Sequence, residues 1–148
     1  MSEHVIKSHN KTLLLYHLVF PAKYRRKIFS EEVEETLKEI CVGISERYEI
    51  RFIEIGTDQD HVHFLIQGVP NQAVTKMVME IKSITARELY RRHPAIKKQL
   101  WGGNIWTSGY YANTVGQYGN EKVIKEYVQK QGNVYKQIHR SQLDLFAV

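Results

Sequence analysis

His61 and His63 are separated by a single residue, within Asp58-Gln59-Asp60-His61-Val62-His63-Phe64-Leu65-Ile66. The stretch reads as a strand entered from a polar turn. Alternate strand residues point to opposite faces, so His61, His63 and Leu65 share one face and Val62, Phe64 and Ile66 the other. Two residues along a strand rise about 6.6 Å, a spacing from which two imidazoles can converge on one ion. Neutral imidazole is the commonest protein metal ligand. Two histidines on a half-exposed strand would give the same pattern without a metal, so the pair needs a third ligand and a nucleophile from elsewhere. Asp58 and Asp60 can orient the imidazoles from behind, and are equally at home as turn residues.

The elements that must hold this pair follow from apolar periodicity. Leu13 to Phe20 is a near-continuous apolar run closed by Pro21, the pattern of a central strand covered on both faces. His17 within it reads as a core or dimer-face histidine. Lys23-Tyr24-Arg25-Arg26-Lys27 follows; it fits a solvated loop, and fits equally a surface with cations for phosphate and a ring for stacking. Ser30 caps a helix from about Glu31 to Tyr48, with glutamates in its first turns and a stripe of Val33, Leu37, Ile40, Cys41, Ile44 and Tyr48. Glu49 to Thr57 alternates as a strand with Arg51, Ile53 and Ile55 on one side. It forms a hairpin with the histidine strand through Asp58-Gln59-Asp60.

Asn71 is the expected cap of a second helix that runs to about Arg92. Val74, Met77, Val78, Ile81, Ile84 and Leu89 form its buried stripe, and the methionines serve packing. Lys76, Lys82, Arg87, Arg91 and Arg92 offer a surface for a phosphate backbone. Pro94 helps to stop this helix. Asn104 to Val115 reads as a fourth strand with a bulge at Gly109. Asn120 can cap a third helix whose stripe is Val123, Ile124, Tyr127 and Val128, ending near Gln131 and Gly132. On that stripe Tyr127 has the periodicity of a core residue. Strand, helix, strand, strand, helix, strand is the ferredoxin-like (RRM-like) order. The expected fold is thus α+β, a βαββαβ antiparallel sheet with an added C-terminal helix. In it the first and third strands are central, which makes the histidine strand a rigid platform.

Composition narrows the function classes. A chain of 148 residues with 43% hydrophobic and 25% charged residues fits one globular domain, and after the third helix residues 132–148 read as a polar tail. The net charge of +5 tilts toward a polyanionic partner. Cys41 is the single cysteine, which excludes an internal disulfide and a cysteine-based zinc cage; it reads as a buried thiol. The polar first residues lack the apolar core of a signal peptide, and no apolar run approaches a membrane span. A cytoplasmic protein without membrane contact is expected.

Four segments together resemble the small single-tyrosine HUH transposases of bacterial and archaeal insertion sequences. They are Tyr16-His17-Leu18-Val19-Phe20 with Pro21-Ala22-Lys23-Tyr24-Arg25-Arg26, then Asp58 to His63, Trp106 to Tyr111 with Thr114-Val115-Gly116, and Ile124 to Gln131. The resemblance runs in order from about Asn10 to Gln131. It implies an enzyme that cuts and rejoins single-stranded DNA, recognising hairpins near the ends of the element. It implies that His61 and His63 bind a divalent ion, Mg²⁺ or Mn²⁺, with Gln131 as third protein ligand. It further implies that Tyr127 attacks phosphorus to give a 5′-phosphotyrosine, and that a homodimer shares its sites between subunits. Tyr127 and Gln131 lie four apart and share a helix face, which agrees with joint delivery to one ion. Tyr110, Tyr111, Tyr118 and Tyr135 are rival nucleophiles by residue type. Lys23, Tyr24, Arg25, Arg26, Lys82 and Arg87 are the candidate DNA contacts. The alternatives are a non-catalytic module of similar fold that grips single strands, and a domesticated relative that cuts without mobility.

Overall fold

A computed structural model describes residues 4–101 and 103–116. The expected tyrosine helix, with Tyr127 and Gln131, lies outside the described residues. Strands are β1 (Val5–Lys7), β2 (Asn10–Thr12), β3 (Leu14–Pro21), β4 (Arg51–Thr57), β5 (His61–Gly68) and β6 (Tyr111–Val115); helices are α1 (Glu31–Arg47), α2 (Val74–Arg92) and α3 (Pro94–Gln99), with a 3-10 turn at Lys23–Arg25. The four-stranded sheet has the order β4-β5-β3-β6 and is antiparallel throughout. This is the ferredoxin-like arrangement, with β3 and β5 at its centre. No helix among the described residues is long and apolar enough to cross a membrane.

The two faces of the sheet divide by strand parity. Leu18, Phe20, Val62, Phe64 and Ile66 pack in one cluster with Leu37, Ile40 and Ile44 of α1 and Met77, Val78 and Ile81 of α2. Each such side chain contributes about 1.5–3 kcal/mol on full burial, so this face fixes the position of β5. His61, His63 and Leu65 point the other way, paired with Pro21, Val19 and His17. Ser30 caps α1 as expected, its hydroxyl accepting from the Val33 amide at 3.3 Å. Cys41 is buried against the same core, and burial pushes its thiol pKa up.

Several expectations need correction. Asn71 does not cap α2; the helix begins at Val74 after an extended Ala73 that makes no side-chain cap. Pro94 does not simply end α2 but opens α3, where its missing N–H costs nothing at a first-turn position. Of the methionines in α2, Met77 is in the core while Met79 is exposed. Tyr48 is the C-cap of α1 and exposed, not part of the buried stripe. In β4 the register shifts between Phe52 and Glu54, so Ile53 is a bulge residue. Phe52 and Ile55 therefore both reach the core, and Ile53 does not share the side of Ile55. The fourth strand is only Tyr111–Val115; upstream, Trp106 makes an isolated bridge to Ala22. Its indole donates to Thr85 Oγ1 at 3.0 Å inside the core, which pulls the segment off the sheet edge. The β1–β2 hairpin was not expected, since three-residue strands leave no periodicity to read.

Candidate metal centre and nucleic-acid surface

The turn into β5 sets the geometry of the histidine site. Thr57 pairs with Val62, and the Asp58 amide donates to the His61 carbonyl at 2.9 Å. Gln59 and Asp60 are thus the loop, and Asp58 stands directly across from His61. Residues opposed in an antiparallel pair put their side chains on the same face. Asp58, His61 and His63 accordingly offer ligand atoms that all lie within 4.8 Å of one another. Both histidines are buried, and their rings meet edge to face at 4.7 Å.

Asp60 fixes the tautomer of His61. Its Oδ1 accepts from His61 Nδ1 at 2.7 Å, and its Oδ2 accepts from Arg25 Nε at 3.2 Å. Partial burial works to raise the Asp60 pKa. The hydrogen bond from His61 and the Arg25 charge outweigh that, and hold it below the usual carboxylate value. With the Nδ1 proton directed at Asp60, a neutral ring presents Nε2 as a lone pair. That Nε2 lies 3.3 Å from Asp58 Oδ2, close enough for an ion pair but outside hydrogen-bond geometry. A lone pair facing a carboxylate at that range in a buried site is a donor set that fits a cation between them. The carboxylate–imidazole arrangement behind it is the usual support of a metal-bound histidine. Asp58, read from sequence as a turn or orienting residue, is brought to the ligand side of the imidazoles; Asp60 takes the orienting role.

Beside apolar Val19 and Leu65, the histidine face also carries His17 and Tyr111. His17 stacks on His63 with centroids 5.7 Å apart, and Tyr111 meets His17 edge-on at 6.2 Å. His17 is a buried neighbour of the pair and not a member of the cluster of ligand atoms. Tyr110 points to the opposite face, where it packs against the main core.

The sequence-predicted DNA contacts separate in space. Lys23, Tyr24, Arg25 and Arg26 form a turn pinned to the Gln59–Asp60 loop: the Ala22 amide donates to the Asp60 carbonyl at 2.8 Å, and the Phe29 amide to the Gln59 carbonyl at 3.2 Å. Tyr24 is exposed, and Lys23 lies over its ring. Lys82 is engaged elsewhere. Its ammonium donates to the carbonyls of Thr107 and Gly109 at 2.9 and 2.8 Å, and lies over the rings of Phe20 and Tyr110. Burial there brings its pKa down to about 8. Arg87 is on another face of α2, lining an apolar cleft of about 590 Å³ with Tyr48, Met79 and Ile84. Trp101, not singled out from sequence, joins the basic turn: its ring lies 6.0 Å from that of Tyr24 and under the Arg26 guanidinium.

Residues 10–131 match the family described as "Transposase IS200 like". The chain belongs to the IS200-like transposase family. Among its relatives, the ISDra2 transposase TnpA of Deinococcus radiodurans is 34% identical over 118 residues, covering 80% of this chain and 84% of that protein. The transposase for insertion sequence element IS200 of Salmonella typhimurium is 29% identical over 124 residues, covering 84% and 80%. A crystal structure of a Deinococcus radiodurans protein assigned as a transposase superposes with a TM-score of 0.75 at 24% identity, over 97% of this chain and 99% of that one. A REP-associated tyrosine transposase bound to a REP hairpin shares the fold at a TM-score of 0.51 and 13% identity, covering 100% of this chain and 76% of that one. The chain thus belongs to the IS200-like family by sequence and shares its overall fold with solved transposase structures.

Proposed function

We propose that this IS200-like chain is a metal-dependent tyrosine transposase that cuts and rejoins single-stranded DNA at the ends of an insertion sequence, where it recognises hairpins. The observation that carries this reading is the convergence of Asp58, His61 and His63 on a central strand, backed by Asp60. The hairpin bound by the REP-associated relative supports the choice of DNA. His61 and His63, with Gln131 and the carboxylate of Asp58, are the residues that would hold Mg²⁺ or Mn²⁺. A divalent ion supplies charge that polarises the scissile phosphate and neutralises what develops on it.

Tyr127 is the nucleophile. Its phenolic oxygen bonds to phosphorus as the bond from phosphorus to the 3′ oxygen breaks, leaving a 5′-phosphotyrosine and a free 3′-hydroxyl. A phenol with a pKa of about 10 must lose its proton to attack at neutral pH, so the site has to favour the phenolate. The covalent bond conserves the phosphodiester, and a 3′-hydroxyl from another end can reverse the step without ATP. The unit is one domain acting as a homodimer, with the histidines of one subunit serving the tyrosine helix of the other.

Incubation with Mn²⁺ and labelled single-stranded element ends tests the reading. A denaturation-resistant protein–DNA adduct is expected from the native chain and none from Tyr127→Phe. Binding without any adduct would favour a non-catalytic single-strand module instead.

A further inference from the structure

Tyr24 and Trp101 come from segments far apart in sequence, yet their exposed rings stand side by side. Trp101 is 75% exposed and Tyr24 59%, in contrast to Trp106, which is 4% exposed in the core. Their centroids are 6.0 Å apart, with planes inclined at 54°. The Arg26 guanidinium lies 5.1 Å from the Trp101 ring and the Lys23 ammonium 5.5 Å from that of Tyr24. Among the described residues, the non-glycine positions with positive φ are Tyr24 at 58°, Arg25 at 52° and Trp101 at 52°. All of them fall in this one patch. Side chains other than glycine are disfavoured there, and burial of these rings does not compensate.

The backbone beneath the rings is held firmly. Leu100 is buried beside Trp101, and the Gly103 amide donates to its carbonyl at 3.0 Å. The Lys23 amide donates to the Ile105 carbonyl at 2.6 Å, which ties the two segments together. Residues 22–29 and 93–101 contain six lysines and arginines and no aspartate or glutamate. Solvent-facing aromatic rings on a strained, fixed backbone, in segments whose own charged side chains are all cationic, are suited to stacking on a base whose phosphate is neutralised nearby.

We infer that Tyr24 and Trp101 form a platform that stacks an unpaired nucleobase of the single-stranded DNA substrate. This rests on the DNA reading above and adds a second place where the strand is held. The platform is joined to the metal centre through Arg25, which donates to Asp60, which in turn holds His61. A base on the platform therefore sets the path of the strand relative to the histidine site.

The test compares two hairpins of identical stem and loop, one blunt and one with an unpaired thymidine tail. The native protein should bind the tailed hairpin more tightly, and Trp101→Ala or Tyr24→Ala should remove about tenfold of that preference, the scale of one lost stack. Affinity for the blunt hairpin should be unchanged, and Trp101→Phe should retain most of the preference. Oligothymidylate should also quench tryptophan fluorescence in the native protein but not in Trp101→Phe, where only the buried Trp106 remains. Unchanged preference in both alanine variants, or quenching that persists in Trp101→Phe, overturns the platform. If the native protein still forms its tyrosine adduct in that case, only the platform falls. If it neither binds nor cuts single strands, the DNA reading falls with it.

Discussion

Asp60 accepts the Nδ1 proton of His61 at 2.7 Å, and this one contact decides which nitrogen of the ring is left for a ligand. An amide in place of the carboxylate can turn its NH₂ toward the ring and favour the other tautomer. Asp60→Asn is therefore expected to weaken Mn²⁺ binding by about 10–100-fold, the usual cost of losing such a support. Titration calorimetry with Mn²⁺ on the folded variant measures it. An unchanged affinity would show that His61 does not use Nε2.

Asp58 should behave as a ligand and not as a turn residue. Asp58→Asn keeps the turn-forming side chain but removes the charge facing His61 Nε2. Its Mn²⁺ affinity should fall about tenfold or more while the melting temperature of the metal-free protein holds. A fall in melting temperature with affinity intact would return Asp58 to a structural role.

The proposed sharing of sites between subunits predicts complementation. His61→Ala and Tyr127→Phe homodimers should each be inactive, and mixing them after subunit exchange should restore cleavage through one complete site per heterodimer. No recovery after verified exchange would mean that each subunit supplies its own tyrosine. Tyr111→Phe serves as a control for the nucleophile. Tyr111 reaches the histidine face through His17, yet the adduct should survive its loss.

Lys82 should prove structural. Its ammonium bridges α2 to the Thr107 and Gly109 carbonyls, so Lys82→Met is expected to destabilise the fold by about 1.5–3 kcal/mol, the range for hydrogen bonds to charged groups. DNA affinity of the folded fraction should change little. Trp101→Gly should do the reverse. Relief of the positive φ should keep or raise the melting temperature while single-strand affinity drops.

Much of this arrangement could be read from residue order, because strand parity and helix periodicity are local. Val33, Leu37, Ile40, Cys41 and Ile44 mark the buried face of α1, and the alternation around His61 places both histidines opposite the helices. What was not legible depends on register and tertiary pull. The position of Asp58 follows from a two-residue loop, and could have been found by counting back from His61 across the hairpin. The bulge at Ile53 leaves no mark in an apolar strand, and it reverses the parity of everything before it. Trp106 has strand propensity but is drawn inward by Thr85, so β6 starts later than its composition implies. Trp101 follows a short helix and bears a backbone angle that its side chain gives no reason to expect.

The central place of β3 has a consequence for the growing chain. One edge of β3 is closed by β5, soon after in sequence, but the other is closed only by β6, whose last paired residue is Val115. Until that residue has left the ribosome, the strand carrying His17 presents a row of unmatched amides and carbonyls. Open edges of this kind invite pairing with another chain. A chain ending at Gly103 should therefore associate through β3 and elute as an oligomer on gel filtration, whereas one ending at Gly116 should not use that edge.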